Sequence, residues 1–159
     1  MSGSLFFEDV EVGREYVTGT HRMTAAQIAA FAELTRDHHP LHMDDAYCRA
    51  RGFPAVIAHG LFGLSLMEGL KTELRLYETT SIASLGWDKV RFRRPVLAGD
   101  ELHLRMRFIA KRPSRQPGRG IVTEFLELVN ARDEVVIDAE HASLILGRSG
   151  ANRDVHASC

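Results

Sequence analysis

The chain has 159 residues, 45% of them hydrophobic, and a formal charge of −1 at pH 7. This is enough apolar material for one domain with a real core, and it excludes a disordered chain. The near-zero charge gives no electrostatic reason to expect nucleic acid or an anionic membrane as a partner.

Its opening stretch, MSGSLFFEDVEVGREY, puts acidic residues directly after a short apolar pair, unlike a secretory signal or a transit peptide. No apolar run approaches the ~20 residues that span a bilayer. Two cysteines, Cys48 and Cys159, cannot build a disulfide framework or a four-thiolate zinc site. A cytoplasmic, reducing location is expected.

In chain order, REYVTGTHRM has the β-branched and aromatic character of a strand. TAAQIAAFAEL follows as a helix. Thr24 and Gln27 form a capping box, and Ile28, Phe31 and Leu34 recur at helical spacing. Pro40 requires this helix to end earlier, which leaves Asp37 to His42 on a loop. Asp44 or Asp45 can cap a short helix through AYCRA, closed by Gly52. LFGLSLMEGLKTELRLY then reads as the longest helix. Its first half should be buried, and it becomes charged from Lys71 to Arg75. Gly63 and Gly69 inside it suggest close packing on a sheet, since each costs roughly 1 kcal/mol against alanine.

From there the period becomes two. SIASLGWDKVRF, ELHLRMRFIAKR, GIVTEFLELVNA and EVVIDAEHASLIL read as four long strands. They are separated by RRPVLAGD, by PSRQPGRG and by a short turn at Arg132 and Asp133. Trp87, Leu85 and Val90 are read as core. The expected class is α+β, one domain over residues 1–146, with the long helix covering the apolar face of an antiparallel sheet. The polar tail, 147–159, is expected to be disordered, Cys159 with it.

Four features could carry chemistry. Asp37 and His42 stand five apart on a loop stiffened by Pro40. A carboxylate and an imidazole held together can divide proton work, although a solvated polar loop has the same composition. Gly60, at the start of the buried helix, offers an unobstructed backbone N–H at the positive end of the helix dipole, where a developing oxyanion would be stabilised. It would also serve simply as a tight turn. His38, His39 and His42 with Asp44 supply metal-ligand atom types, but at a spacing that matches no zinc pattern. Arg91, Arg93 and Arg94, and Arg112, Arg115 and Arg119 around the PSRQPGRG turn, suit phosphate groups or a solvated hairpin equally.

Three segments in this order, DHHPLHMD, GFPAVIAHGLFGLSL and FRRPVLAGDELHL, resemble the MaoC-like hotdog hydratases, which include the (R)-specific enoyl-CoA hydratases. The resemblance runs from about Thr24 to Leu146. It implies a hotdog fold, a long central helix wrapped by a curved antiparallel sheet. It further implies water addition across the double bond of an enoyl thioester. Asp37 and His42 match the pair that activates the water, and Gly60 matches the glycine whose N–H holds the thioester carbonyl. No metal or redox cofactor is implied. Coenzyme A is part of the substrate, and its phosphates would meet arginines, with Arg94 and Arg115 as candidates. A homodimer, with the acyl-CoA site near the subunit boundary, is also implied.

Two positions depart from the motif. His39 stands where asparagine is common, and Arg36 where a small residue is usual. His39 can still donate a hydrogen bond to order the loop, and it can titrate. Arg36 could face the acyl pocket and clamp a substrate carboxylate, or lie on the exposed helix end. A hotdog acyl-CoA thioesterase and a non-catalytic acyl-CoA-binding subunit are the competing functions.

Overall fold

A computed structural model of the chain describes residues 3–150. After a 3-10 turn at Phe7–Asp9, two short strands follow, β1 (Glu15–Val17) and β2 (His21–Arg22). Both pair antiparallel with β4 (Glu101–Pro113), so the single strand expected here is interrupted at Thr18 to Thr20. Helix α1 (Ala25–Thr35) begins as its capping box requires: Thr24 accepts from the Gln27 amide, and the Gln27 side chain returns to the Thr24 amide. Ile28 and Ala32 are its buried residues, whereas Leu34 is 83% exposed.

Two one-turn helices follow, α2 (Pro40–Met43) and α3 (Asp45–Arg49). Asp44 caps α3 by accepting from the amides of Ala46 and Tyr47. Sequence pattern left α2 as loop because Pro40 looked like a stop. At the first position of a helix proline is favoured, since its missing N–H has no intrahelical partner there.

Helix α4 (Gly60–Glu73) is the long element, and it ends one turn before the sequence pattern suggested. It lies against the sheet formed by β4, β5 (Arg119–Asn130), β6 (Val135–Leu146) and β3 (Ser81–Phe92), in the order β1-β4-β5-β6-β3 with β2 beside β1 on β4. All the pairings are antiparallel. Alternate residues supply the core: Leu102, Leu104, Met106 and Phe108 from β4, Val122, Leu126 and Leu128 from β5, and Ile137, Ala139 and Ile145 from β6. Met67 and Leu70 of α4 complete it.

Gly63 is needed where the helix touches the sheet, since a Cβ there would lie 2.3 Å from Ile137 Cδ1. Gly69 has no such neighbour, so the packing explanation holds for only one of the two. Leu85 is 48% exposed and leaves the expected core, while Trp87 and Val90 pack against it. Gly147 to Gly150 are tied down, by the Gly147 amide to Gly118 O and by Arg148 to Glu8 and Asp9. Expectations for residues 151–159 lie outside the described residues. Among those described, no helix is long and apolar enough to cross a membrane.

Candidate active site

Helix α1 ends on Arg36, in the left-handed region at φ 65°, and the chain turns out of the helix into Asp37. His39 then caps α2, its Nδ1 accepting from the Leu41 amide at 3.2 Å. His39 thus ties the loop as an acceptor, not through the donated hydrogen bond expected of it. His42 follows in the same turn.

Three hydrogen bonds stitch this segment to the one leading into α4. His42 Nδ1–H donates to Ile57 O at 2.7 Å, the Ile57 amide donates to Leu41 O at 3.0 Å, and His59 Nε2–H donates to Asp37 O at 2.9 Å. As a result Asp37, His42 and His59 each bring a polar atom within 4.8 Å of the other two. With Nδ1 committed as a donor, His42 keeps its Nε2 lone pair for other work. Burial pushes the His42 pKa below the ordinary imidazole value, and His59 adds to this; together they outweigh the Ile57 bond and the Asp37 charge. His42 is therefore neutral, and a base, at pH 7.

His59 was not singled out from sequence, although it lies in the AHG segment beside Gly60. It is 3% exposed, stacks on His42 with ring centroids 3.7 Å apart, and has no hydrogen-bond partner for Nδ1 among the described residues. The two rings are only 27° from parallel. Their in-plane lone pairs run side by side and do not converge at the roughly 2.0–2.1 Å a zinc ion needs. The arrangement suits hydrogen bonding to a small molecule better than chelation.

Gly60 is the first residue of α4, and His59, its N-cap, gives no side-chain cap. The first-turn amides thus keep their donor capacity at the positive end of the helix. A cavity of about 440 Å³ opens here. His42, His59 and Gly60 line it, with the apolar faces of Phe53, Leu61 and Phe92, and with Arg93 and Arg94 at its side.

The sequence-selected residues divide accordingly. Asp37 stands beside His42 and His59 without itself lining the cavity, His42 and Gly60 line it together, and so does Arg94, 3.5 Å from Glu134. Arg36 is exposed at the helix end, outside the cavity lining, so the carboxylate clamp has no support and the helix-end placement is the one found. Arg115 is in the β4–β5 turn, at the far end of strands whose other end borders the site, and does not join the site of its own chain.

A model of the MaoC-like domain matches residues 8–130. The chain is 30% identical over 137 residues to a 3-hydroxybutyryl-CoA dehydratase of Methylorubrum extorquens, covering 86% of this chain and 81% of that one. It is 35% identical over 108 residues to an (R)-specific enoyl-CoA hydratase of Aeromonas caviae, covering 68% and 78%. A solved MaoC-like dehydratase from Rhodospirillum rubrum superposes with a TM-score of 0.82 at 31% identity, over 91% of this chain and 99% of that one. In fold alone the chain also matches a Mycobacterium tuberculosis protein described as a double hotdog fold, with a TM-score of 0.79 at 24% identity, covering 91% of this chain and 45% of that one. The α+β sheet-and-helix architecture is therefore a hotdog fold, and the chain belongs to the MaoC-like domain family.

Proposed function

We propose that the chain is a hydratase/dehydratase that adds water reversibly across the 2,3 double bond of an enoyl-CoA thioester. The observation that carries this reading is the neutral His42, its Nε2 lone pair free, beside the Asp37 carboxylate and the uncapped start of α4.

One water held between Asp37 and His42 accounts for the chemistry. Asp37 orients it by accepting one hydrogen. His42 Nε2 takes the other as the oxygen bonds to the β-carbon. The π electrons move through the α-carbon to the thioester oxygen, where the Gly60 N–H stabilises the enolate. The imidazolium then returns the proton to the α-carbon, so the elements of one water are added and His42 is restored. Dehydration is the reverse. Coenzyme A enters as part of the substrate, and its phosphates would meet Arg94 at the cavity side, where the neighbouring Arg93 is already paired with Asp138. The names of the two relatives are consistent with this reaction class.

Crotonyl-CoA tests the reading. Loss of the enoyl absorbance without release of free thiol is expected. Thiol release without hydration would instead make the protein a thioesterase. Binding without either would make it a non-catalytic subunit.

A further inference from the structure

A second cavity, of about 750 Å³, lies at the other end of α4, bounded by Glu68 to Glu73, by the turn after it, by Ser81 to Ser84 of β3 and by His141 and Ser143 of β6. Its wall contains a buried polar cluster. Lys71 is 6% exposed, Glu124 0%, His141 1% and Ser143 4%. Lys71 Nζ is 3.1 Å from Glu124 Oε2 and 3.0 Å from Glu68 Oε2. His141 Nδ1 is 2.9 Å from Glu124 Oε2, and its Nε2 is 2.7 Å from Ser84 Oγ. Ser143 donates to Glu124 Oε1 at 3.2 Å.

His141 Nδ1 lies 2.9 Å from the Glu124 carboxylate and 3.0 Å from the Lys71 ammonium. Either it donates to the one, with Nε2 accepting from the Ser84 hydroxyl, or it accepts from the other, with Nε2–H donating to Ser84 Oγ. In both arrangements Ser84 keeps unspent hydrogen-bonding capacity at the exposed end of the chain, on the cavity. Burial opposes ionisation of Glu124, but the His141 bond and the Lys71 charge overcome it and hold the carboxyl below its usual range. The order Ser84–His141–Glu124 is that of a hydrolytic triad. Here, however, the Lys71 ammonium withdraws from Glu124 the charge that would make His141 basic. The cluster is built to present a hydrogen-bonding surface, and nothing in the hydration mechanism uses it.

Its charge decides what it can hold. Lys71 is already shared by two carboxylates, so Lys71, Glu68 and Glu124 together carry −1. A ligand carboxylate would be repelled. A plain alkyl group would cover Ser84 and leave its remaining hydrogen-bonding capacity without a partner. A neutral hydroxyl, donor and acceptor at once, would satisfy it.

The cavity is far from Gly60 in its own chain: eleven residues of α4 span about 16 Å. Helix α4 runs antiparallel to β3, because Gly60 abuts Phe92 while Lys71 lies beside the cluster that reaches Ser84. Strand β3 is one of the two edges of the sheet, and it is flanked by the exposed apolar side chains of Leu61, Leu85 and Phe92. A second copy pairing there antiparallel, about a two-fold axis through the middle of β3, sets each polar cavity beside the partner's Gly60. The doubled fold found in a single solved chain shows that two such units can occur together.

We propose that, in this pair, the cavity of one copy receives the acyl group of a thioester held at the partner's Gly60, and selects one bearing a neutral hydrogen-bonding substituent such as a hydroxyl. The proposal rests on the hydratase reading.

The test uses trans-hex-2-enoyl-CoA, its 6-hydroxy derivative and the thioester ending in a carboxylate. The 6-hydroxy substrate should have the highest kcat/KM, by about tenfold over either other one. Ser84→Ala should lower the hydroxyl-to-methyl ratio from about ten to about one. Heteromers of Asp37→Asn chains with Ser84→Ala chains should regain the preference, since one of their two sites then combines an intact catalytic loop with an intact cavity. Hydration with equal rates on hydroxyl and methyl substrates would overturn the proposal and leave the hydratase reading standing. Failure of the heteromer to regain the preference would overturn the cross-subunit placement. Thiol release abolished by Ser84→Ala would make Ser84 a nucleophile and overturn it as well. If no enoyl-CoA is hydrated, the hydratase reading falls. Calorimetry with hexanoyl-CoA and 6-hydroxyhexanoyl-CoA then decides the cavity, with equal Kd values overturning it and about tenfold tighter binding of the hydroxylated ligand supporting it.

Discussion

The two ends of α4 both carry polar clusters, and they are built on opposite rules. At the N-terminal end, His42 Nε2, His59 Nδ1 and the uncapped first-turn amides have capacity left over, and they face a cavity with apolar walls. At the C-terminal end, Lys71, Glu124, His141 and Ser143 spend nearly all of theirs on one another. A residue that reacts must keep a lone pair or a proton uncommitted. A buried charge that only shapes a wall must not. In the proposed reaction the free capacity that matters lies on His42 and the first-turn amides, whereas the C-terminal end keeps its own on Tyr77, whose hydroxyl is buried without a partner among the described residues, and on Ser84.

The sharpest way to break this contrast is to remove one free donor. Gly60→Pro deletes the N–H at a position where proline fits a helix start, and His59 already has the extended backbone that precedes proline. A loss of about 10²–10³ in kcat is expected, as for other oxyanion donors. Gly60→Ala keeps the N–H and adds the same Cβ, 2.7 Å from the movable Phe92 ring, so only a few-fold loss should follow. Equal losses in steady-state assays would remove Gly60 from the chemistry.

At the other end, Glu124→Leu should cost stability. Breaking a buried ion pair costs about 3–5 kcal/mol, and the lower end is expected because Lys71 keeps Glu68. Urea unfolding measures it, and a change under 1 kcal/mol would show that the cluster is not a closed unit.

Asp37→Asn and His42→Ala should each lower hydration at least about a hundredfold with the melting transition preserved. Loss of folding in either would move that residue to the structural side of the comparison.

Packing gives a smaller contrast along the same helix. Gly63→Ala should destabilise by about 1–3 kcal/mol through its clash with Ile137, while Gly69→Ala, with open space around it, should gain up to about 1 kcal/mol. Thermal melts of the two variants should shift in opposite directions.

The smallest effect is in pH. Because burial depresses the His42 pKa, the acid limb of kcat/KM should lie below the ordinary value of about 6.5. The unfolded chain binds this proton more readily than the folded one. His42's contribution to stability is therefore full above about pH 6.5 and is lost as pH falls through the depressed value. An acid limb above 6.5 would contradict a desolvated His42.

Sequence pattern reached the local half of this molecule. The Thr24 box, the Asp44 cap and the four long strands are set by neighbours within a few residues, and they stand as read. What it missed was non-local. Lys71 looked like the start of a solvated helix end, because Glu124 and His141 are 53 and 70 residues away along the chain. Glu124 occupies an inward position of β5, between Val122 and Leu126, a misfit visible in the alternation but without a partner to explain it. His59 was passed over for Gly60, since nothing local shows that its ring stacks on His42. Arg36 drew attention as a departure from the motif beside Asp37 and lies at the exposed helix end, while Arg115 drew attention by charge and stands away from the site of its own chain.

The peptide of Ile57 has a wider consequence. It is held through its N–H by Leu41 and accepts His42 at its oxygen, one residue before the segment where His59 reaches back to Asp37. These three bonds close a small loop of mutual dependence. Releasing any one removes a tie between the Asp37–His42 segment and the segment that leads into α4, so the two are expected to loosen together, and a disturbance of the Ile57 peptide is expected to reach the proposed hydration chemistry without touching a side chain of the site.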